Sequence, residues 1–311
     1  MTRALVPHFL RPGDLVAIVA PSSPFDVERY RLGEGFLKAR YGLRVRDDLL
    51  ARSGYLAGDD DRRRAELEDA LADPDVRAIV AARGGFGATR LVDRIDFGVL
   101  ARSPKWLVGF SDVTALHVEA SRVGVASLHA PMVASLGSGD DEMRTAFVRA
   151  LEGEARDRSW AGLDAWTPGT ARGPAFGGNL ALLESCAAAG RLVVPPGAVV
   201  FLEDCTERPY RVDRMLTALH LGGHLARAAA FVVGDFTDCA PGPDGVDVMT
   251  VLRARLSGYR VPVVAGAPFG HGARNEPFVL GASVEVVADG NGGAVRFSDS
   301  AASATRSSDC S

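Results

Sequence analysis

The sequence has few cysteines and no pattern among them. Cys186, Cys205, Cys239 and Cys310 are unevenly spaced and form no C-x-x-C pair. This spacing excludes a secreted disulfide framework and the zinc sites that paired cysteines build. H-E-x-x-H and other tight ligand clusters are also missing, so we expect neither a metal nor a cofactor. The cysteines are predicted to be free thiols in a reducing compartment.

Long apolar runs are missing as well. No stretch approaches the roughly 20 apolar residues that a membrane-spanning helix requires. Near the amino terminus, Pro7, His8, Arg11, Pro12 and Asp14 interrupt the apolar residues, so no signal-peptide core forms. These absences predict a soluble, cytoplasmic protein without a membrane partner.

The sequence also has no excess of basic charge. Its 35 Lys and Arg residues against 39 Asp and Glu give a net charge of −4. No basic stripe with interleaved aromatic residues occurs, so nucleic acid is not an expected partner. What the sequence does have is an ordinary globular composition, 47% hydrophobic and 24% charged, and a length of 311 residues that fits two domains.

The first 130 residues alternate short apolar runs with amphipathic segments, which is typical of an α/β domain with a parallel sheet. We assign residues 1–135 to this domain. Strands are predicted at "LVAIVAP", "RAIVAA", "WLV" and "GVASLHAPM". Helices are predicted in "FDVERYRLGEGFLKARYG", "DDRRRAELEDALADPDV" and "ATRLVDRIDF".

The remaining chain is more mixed. Residues 136–175 combine one amphipathic segment with a stretch rich in turn formers, which indicates an interdomain linker. Residues 176–298 are assigned to a smaller mixed α/β domain, and the polar tail over 299–311 is predicted to be disordered. In the second domain, helices are predicted in 179–189 and "YRVDRMLTALHLGG", and strands at "AVVFLE", "AAFVVGDF", "VPVVAGA" and "ASVEVVA".

A serine stands at a strand-to-helix corner in "KWLVGFSDVTALH". Ser111 follows a buried strand, and helical spacing of apolar residues begins near Asp112. Backbone N–H groups at such a corner can stabilise an oxyanion, which is why catalytic residues occur there in open α/β sheets. Taken alone, the segment favours a simple helix cap, and Val113 breaks the hydrolase pattern G-x-S-x-G.

A second corner, "AARGGFGATR", places Gly84, Gly85 and Gly87 after another strand. The spacing matches neither a dinucleotide fingerprint nor a P-loop. Taken alone, these glycines favour an ordinary turn. Both corners nevertheless close strands at the same edge of one sheet, so the glycine turn can supply oxyanion donors to Ser111.

A serine nucleophile requires a base and usually an acid that orients the base. His271 follows an apolar strand into the glycine-flanked loop "GHGAR", and His129 in "SLHAPM" is its rival. Glu203 and Asp204 end the strand "AVVFLED", and one of them can merely cap the next turn. Composition does not distinguish between these two carboxylates. The other histidines, which fit surface or packing positions, are His8, His117, His220 and His224.

Six segments together resemble the LD-carboxypeptidases of peptidase family S66, which also include the microcin C7 self-immunity proteins. They occur in the family's order and span nearly the whole chain. The segments are "VAIVAPSSP", "RGGFGATRLVDRIDF", "KWLVGFSDVTALH", "GPAFGGNLALLESCAAAG", "FLEDCTERPYRVDRML" and "GHGARNEPFVLGASVEV".

The resemblance implies a serine peptidase whose nucleophile is Ser111, whose acid is Glu203 and whose general base is His271. It implies backbone oxyanion donors at Gly85 and Asp112. The implied fold is an N-terminal domain similar to class I glutamine amidotransferases plus a smaller mixed domain, usually in a homodimer. The site would then lie between the domains. Ala130 departs from the family, which more often has glycine there.

For function, the resemblance implies release of terminal D-alanine from muropeptide tetrapeptides during peptidoglycan recycling. The alternative branch cleaves peptidyl-nucleotide amides and would use an aromatic surface. Trp160 and Trp166 are candidates for it, and packing between the domains is the alternative role for both. A non-catalytic binder of cell-wall peptides is a third alternative. Arginines that can read a substrate carboxylate stand beside the motifs, but none is assigned. They are Arg83, Arg211 and Arg274.

Overall fold

The computed structural model describes residues 4–154 and 158–297. The chain is a mixed α/β protein built from one open sheet and one closed barrel. The strands are β1 (Leu15–Val19), β2 (Gly42–Arg44), β3 (Val76–Ala81), β4 (Trp106–Gly109), β5 (Ser127–His129), β6 (Arg158–Thr167), β7 (Gly169–Asn179), β8 (Val199–Cys205), β9 (Ala230–Thr237), β10 (Val263–Ala265), β11 (Phe278–Leu280), β12 (Ser283–Asp289) and β13 (Gly292–Phe297).

Helices cover the sheet and the parallel side of the barrel. Several begin at an Asp or Asn whose side chain accepts a backbone N–H of the first turn, as Asp26 does for the first helix. The helices are α1 (Val27–Lys38), α2 (Asp60–Ala72), α3 (Gly98–Arg102), α4 (Thr114–Arg122), α5 (Val133–Ser138), α6 (Asp141–Leu151), α7 (Leu180–Ala188), α8 (Pro209–Leu221) and α9 (Val248–Ser257).

The open sheet has the order β11-β5-β4-β3-β1-β2. Its first five strands along the chain run parallel, as the alternating pattern of the N-terminal part predicts. Strand β11 is antiparallel to β5, with Phe278 opposite His129. Strand β11, from the segment over 176–298 that we assign to the second domain, therefore completes the sheet of the N-terminal part.

The barrel has the order β10-β6-β13-β12-β7-β8-β9. Strands β7 to β10 pair in parallel, and β6, β12 and β13 join them by antiparallel pairs. One buried apolar cluster contains Leu116 of α4, Leu183 of α7 and Val200 of β8, so the core continues from the sheet into the barrel. No helix in the part of the chain that the structure describes has the length and apolarity to cross a membrane.

Residues 136–175, predicted to be an interdomain linker, are largely built into regular elements in the part of the chain that the structure describes. The segment contains α6, β6 and most of β7. The glycines of β7, which suggest turns in the sequence, instead allow close packing against neighbouring backbone. A Cβ on Gly173 would lie 1.9 Å from the carbonyl oxygen of Gly197. A Cβ on Gly177 would lie 2.0 Å from the carbonyl oxygen of Phe201. The tail over 299–311 lies outside the described residues.

Candidate active site

Ser111 lies directly beyond β4, at the carboxyl edge of the sheet. Its φ of +60° is in the left-handed region, which a non-glycine residue adopts at a cost of about 1–3 kcal/mol. The 3₁₀ turn Ser111–Val113 precedes α4, and the caps of these two elements are Phe110 and Val113, without side-chain cap bonds. Ser111 is therefore not the helix cap, and its strained backbone is typical of a functional corner.

The glycine turn after β3 packs against this serine. A Cβ on Gly84 would lie 3.0 Å from the Cβ of Ser111, 3.1 Å from its Oγ and 3.4 Å from the backbone nitrogen of Asp112. Gly85 has a φ of +109°, and a Cβ there would lie 2.5 Å from Ser23 Oγ. At Gly85 the positive φ and the close approach to Ser23 require glycine, and at Gly84 the turn lies directly against the serine corner.

Asp112 joins three loops beneath the serine. Its fully buried carboxylate accepts from Ser22 Oγ at 2.6 Å and from the Ala88 backbone N–H at 2.8 Å. Burial raises the pKa of Asp112, against the opposing effects of these two hydrogen bonds and of the Arg63 charge. From the sequence, Asp112 was expected to supply a backbone donor or to serve as a first-turn acid of the helix. The serine pair in "VAPSSP" was the signal for its side-chain role.

Glu203 and His271 meet across the barrel strands. Glu203 Oε2 lies 2.7 Å from His271 Nδ1, and the Glu203 side chain is fully buried. Gly270 has a φ of +123°, and a Cβ there would lie 3.0 Å from the Glu203 Cβ. A glycine before His271 thus lets the loop reach the carboxylate.

The environment of His271 favours its charged form. Burial lowers the pKa of His271, but hydrogen bonds to Cys205 and Glu203 and the charge of Glu203 outweigh burial and raise the pKa to about 10. An imidazolium formed by proton uptake would therefore be stabilised. No role beside His271 was predicted for the thiol of Cys205. Its position two residues after Glu203 forms no motif that would indicate such a role.

Asp204 has a different role from its neighbour. It accepts hydrogen bonds from Asn179 Nδ2 at 2.9 Å and from the backbone N–H groups of Ala181 at 2.9 Å and Cys205 at 2.8 Å. Burial and the nearby charge of Glu203 raise the pKa of Asp204 to about 6. The alternative between the two carboxylates is thus resolved in the structure, since Asp204 binds the start of α7 and Glu203 binds the histidine.

The rival histidine is enclosed by rings. His129 is fully buried and stacks on Phe278, with ring centroids 4.8 Å apart and an interplanar angle of 22°. Burial holds the pKa of His129 well below its usual value, and among the described residues neither ring nitrogen has a hydrogen-bond partner. His129 is therefore a neutral packing residue behind the site, unsuited to exchange protons with a substrate.

Other candidates from the sequence lie in structural contacts. His117 Nε2 is 3.0 Å from the Gly109 carbonyl oxygen, and His220 Nδ1 is 3.0 Å from the Tyr259 hydroxyl. Among the arginines, Arg83 donates to the Pro24 carbonyl, Arg211 pairs with Glu207 and Arg274 pairs with Glu276. These contacts single out none of the three arginines as a reader of a carboxylate.

The tryptophans do not form an open aromatic surface. Trp160 is 4% exposed, stacks on Phe269 at 5.9 Å and donates from Nε1 to Glu276 at 2.7 Å. Trp166 packs against the core cluster. The interpretation of Trp160 as a nucleobase platform is therefore wrong, because its ring lies inside the barrel.

The two halves of the site meet at Phe110. Its ring centroid is 4.8 Å from that of His271, and Ser111 is the next residue along the chain. Thr114 Oγ1 of α4 accepts the Asn179 backbone N–H at 3.1 Å, which ties the serine helix to the end of β7. Within the described residues no group of three His, Cys, Asp or Glu side chains is arranged to hold a metal ion. A hydroxyl, an imidazole paired with a carboxylate, and backbone N–H groups lie in this region, and these are the groups that acyl transfer uses.

Two family models and several known proteins match this chain. The family model of the LD-carboxypeptidase N-terminal domain matches residues 16–130, and that of the LD-carboxypeptidase C-terminal domain matches residues 172–286. The chain is 34% identical over 275 residues to a probable murein peptide carboxypeptidase of Bacillus subtilis, covering 85% of this chain and 86% of the relative.

Solved structures show the same architecture. The muramoyltetrapeptide carboxypeptidase of Oxalobacter formigenes superimposes with a TM-score of 0.81 at 30% identity, covering 92% of this chain and 99% of that one. The microcin C7 self-immunity protein MccF, in complex with aspartyl sulfamoyl adenosine, gives a TM-score of 0.83 at 21% identity, covering 94% and 98%. At that identity the second likeness concerns the fold alone.

Proposed function

Because this chain belongs to the LD-carboxypeptidase family, peptidase family S66, we propose that Ser111, Glu203 and His271 form its catalytic triad. The chain is a hydrolase of the carboxypeptidase type. The observation that carries the triad is the 2.7 Å contact between Glu203 and His271, beside the corner that holds Ser111.

In the first half of the reaction, His271 takes the hydroxyl proton of Ser111 as the serine oxygen attacks the scissile carbonyl carbon. The charge that develops on the carbonyl oxygen is stabilised by the backbone N–H groups of Gly85 and Asp112. The close packing of Gly84 on Ser111 supports this placement of the donors. Glu203 holds the imidazole by Nδ1 and stabilises its charged form.

In the second half, the imidazolium gives its proton to the departing amine, and the C–N bond breaks. The acyl group stays on Ser111 Oγ until a water molecule attacks it, with His271 again taking the proton. Hydrolysis then returns the free serine and releases the shortened peptide as a carboxylate.

The proposed substrate is a murein tetrapeptide, cut at the L,D-amide bond so that terminal D-alanine is released. Relatives named as murein peptide and murein tetrapeptide carboxypeptidases support this substrate class. We place the reaction in peptidoglycan recycling, in the cytoplasm, with the protein as a homodimer. The recycling role and the homodimer rest on the family resemblance, and the cytoplasmic location rests on the expectation drawn from the sequence.

The test is to incubate the protein with a disaccharide tetrapeptide ending in D-alanine and to follow product masses. Loss of one alanine residue is the expected result. An intact tetrapeptide together with cleavage of an aminoacyl sulfamoyl nucleoside or related nucleotide amide would assign the protein to the microcin-immunity type instead. If the protein bound the tetrapeptide or the nucleotide amide but left the mass of both unchanged, it would be a non-catalytic binding protein.

A further inference from the structure

Two exposed aromatic side chains are in contact on the loops around the glycine turn. Tyr55 is 65% exposed and Phe86 is 45% exposed, and their ring centroids are 5.9 Å apart at an interplanar angle of 53°. We call these two residues the aromatic rim. Single exposed apolar residues are ordinary, but a contacting pair beside a catalytic corner marks a surface that a ligand can cover.

Phe86 is fixed to the proposed oxyanion site by the backbone. It follows Gly85 directly, and its N–H donates to Ser23 Oγ at 3.1 Å. The Ser23 N–H donates in turn to the carbonyl oxygen of Gly84 at 3.2 Å. The ring of Phe86 is therefore held one residue away from a donor that the reaction uses.

Tyr55 is fixed to the same loop by a separate set of bonds. It stands at the tip of a tight turn, closed by Ser53 N–H to Leu56 O at 2.9 Å and Leu56 N–H to Ser53 O at 3.0 Å. The next residue, Ala57, donates its N–H to the Ser22 carbonyl at 2.9 Å. Both aromatic residues are thus attached to the loop that follows β1.

A buried charge network supports the rim from below. Arg63 is fully buried and donates to the carbonyl oxygens of Pro21 and, at 2.9 Å, Gly87, while it pairs with Asp60. Arg90, whose side chain is 45% exposed, binds the same carboxylate at 2.7 Å. The loop that carries Phe86 is therefore held in place, and the network that holds it includes an exposed guanidinium with further hydrogen-bond donors.

The lengths of the substrate on the two sides of the scissile bond indicate which part of the substrate the aromatic rim contacts. On the leaving side of the scissile bond the substrate has a single alanine, whereas the acyl side continues through three residues to the sugar. At about 3.3–3.6 Å per extended residue, those residues span about 10 Å. A single alanine is too short to cover two rings whose centroids are 5.9 Å apart, so we assign the rim to the longer acyl side of the substrate.

Resting on the proposed function, we propose that the aromatic rim binds the N-acetylmuramyl sugar of the substrate. The C–H face of the sugar ring packs on Tyr55 and Phe86, and its hydroxyl and acetamido oxygens accept from Arg90. The rim thereby favours sugar-bearing tetrapeptide over the free peptide.

The kinetic test compares N-acetylmuramyl tetrapeptide with the same tetrapeptide lacking the sugar. For the wild type the ratio of the two kcat/KM values is expected to favour the sugar-bearing substrate. Tyr55→Ala and Phe86→Ala should each lower this ratio by about fivefold, whereas Tyr55→Phe should keep it. Leu221→Ala, at an 80% exposed position on α8, is the control that leaves the ratio and the basal rate unchanged. A ratio that stays constant in both alanine variants would overturn the proposal.

A binding measurement separates this inference from the reaction itself. Ser111→Ala protein is titrated calorimetrically with each of the two peptides, with and without Tyr55→Ala in the same chain. Tighter binding of the sugar-bearing peptide that is lost with Tyr55→Ala supports the rim, even if the wild type fails to release D-alanine. Equal affinity for the two peptides refutes the rim, even if hydrolysis is observed.

Discussion

At the scale of single residues, the state of His271 is set by its contacts with Cys205 and Glu203. These contacts raise its pKa above the ordinary value of 6.5, so the neutral imidazole that can accept a proton gains population as the pH rises. We therefore expect kcat/KM to increase with pH through an ascending limb centred above 6.5.

Glu203→Gln tests the cause of that limb. The amide keeps the shape of the side chain but removes the negative charge that stabilises the imidazolium, so the limb should move to lower pH. The value of kcat/KM at the high-pH plateau should fall by about 10²–10⁴-fold, because the His271 imidazolium that forms during the reaction is less stable. Rate profiles from pH 5 to 10 provide the measurement, and a limb that does not move would show that Glu203 does not control His271.

Asp204→Ala should act on stability. The change removes the acceptor for Asn179 and for the Ala181 N–H at the start of α7, in a buried position. The free energy of unfolding should fall by about 1–3 kcal/mol. Urea denaturation measures this loss. If stability were unchanged and only kcat fell, Asp204 would belong to the catalytic group instead.

The sequence could narrow the acid to Glu203 or Asp204 but could not choose between them. Adjacent residues of a strand point to opposite faces, so one of the pair must face α7 and the other the histidine loop. Which of the two residues faces α7 depends on the orientation of β8 in the barrel. The local sequence pattern does not determine that orientation. The local pattern did not single out Ser111 or His271 either, since the serine segment alone favours a helix cap and His129 also follows a strand; the family resemblance made both choices.

At the scale of elements, the glycine turn and the serine corner form one unit. Gly84→Ala would place a methyl group 3.0 Å from the Ser111 Cβ and 3.4 Å from the Asp112 nitrogen, so the turn or the corner must shift. A displacement of a few tenths of an ångström disturbs the oxyanion donors, and kcat/KM should fall by about 10–100-fold. Steady-state kinetics on a purified, folded variant checks this expectation.

The matched control is Gly35→Ala in α1. A Cβ at Gly35 meets no atom within 4 Å, and alanine has the higher helix propensity. This variant should keep full activity and gain about 0.5–1 kcal/mol of stability. Equal activity losses in both variants would mean that the effect at Gly84 is not local.

Most elements were predictable from periodicity, but β6 and β7 were not. In β6 the buried positions are Trp160 and Leu163, so strict alternation is absent. In β7 the glycines allow contacts with neighbouring strands, which a sequence pattern cannot separate from turn formation. Short edge elements such as β2 and β11, of three residues each, carry too few side chains for a pattern.

At the scale of the whole molecule, the sheet depends on both halves of the chain. Strand β11 pairs with β5, and Phe278 covers the buried ring of His129. A fragment of residues 1–154 would leave β5 as an open edge and expose the apolar face that packs on the barrel. We expect this fragment to lack a cooperative thermal transition by circular dichroism, while the full chain shows one. A fragment that unfolds cooperatively would contradict this dependence.

The central claim concerns the whole site, since the proposed nucleophile lies beyond the sheet while the acid and base lie on the barrel side. The most direct measurement is the rate of D-alanine release from a tetrapeptide by the wild type and by Ser111→Ala, with matched circular dichroism spectra to establish that both are folded. We expect release by the wild type and a loss of at least about 10³-fold in the variant. Release by Ser111→Ala at the wild-type rate would contradict the account, because the hydrolysis would then not use this serine.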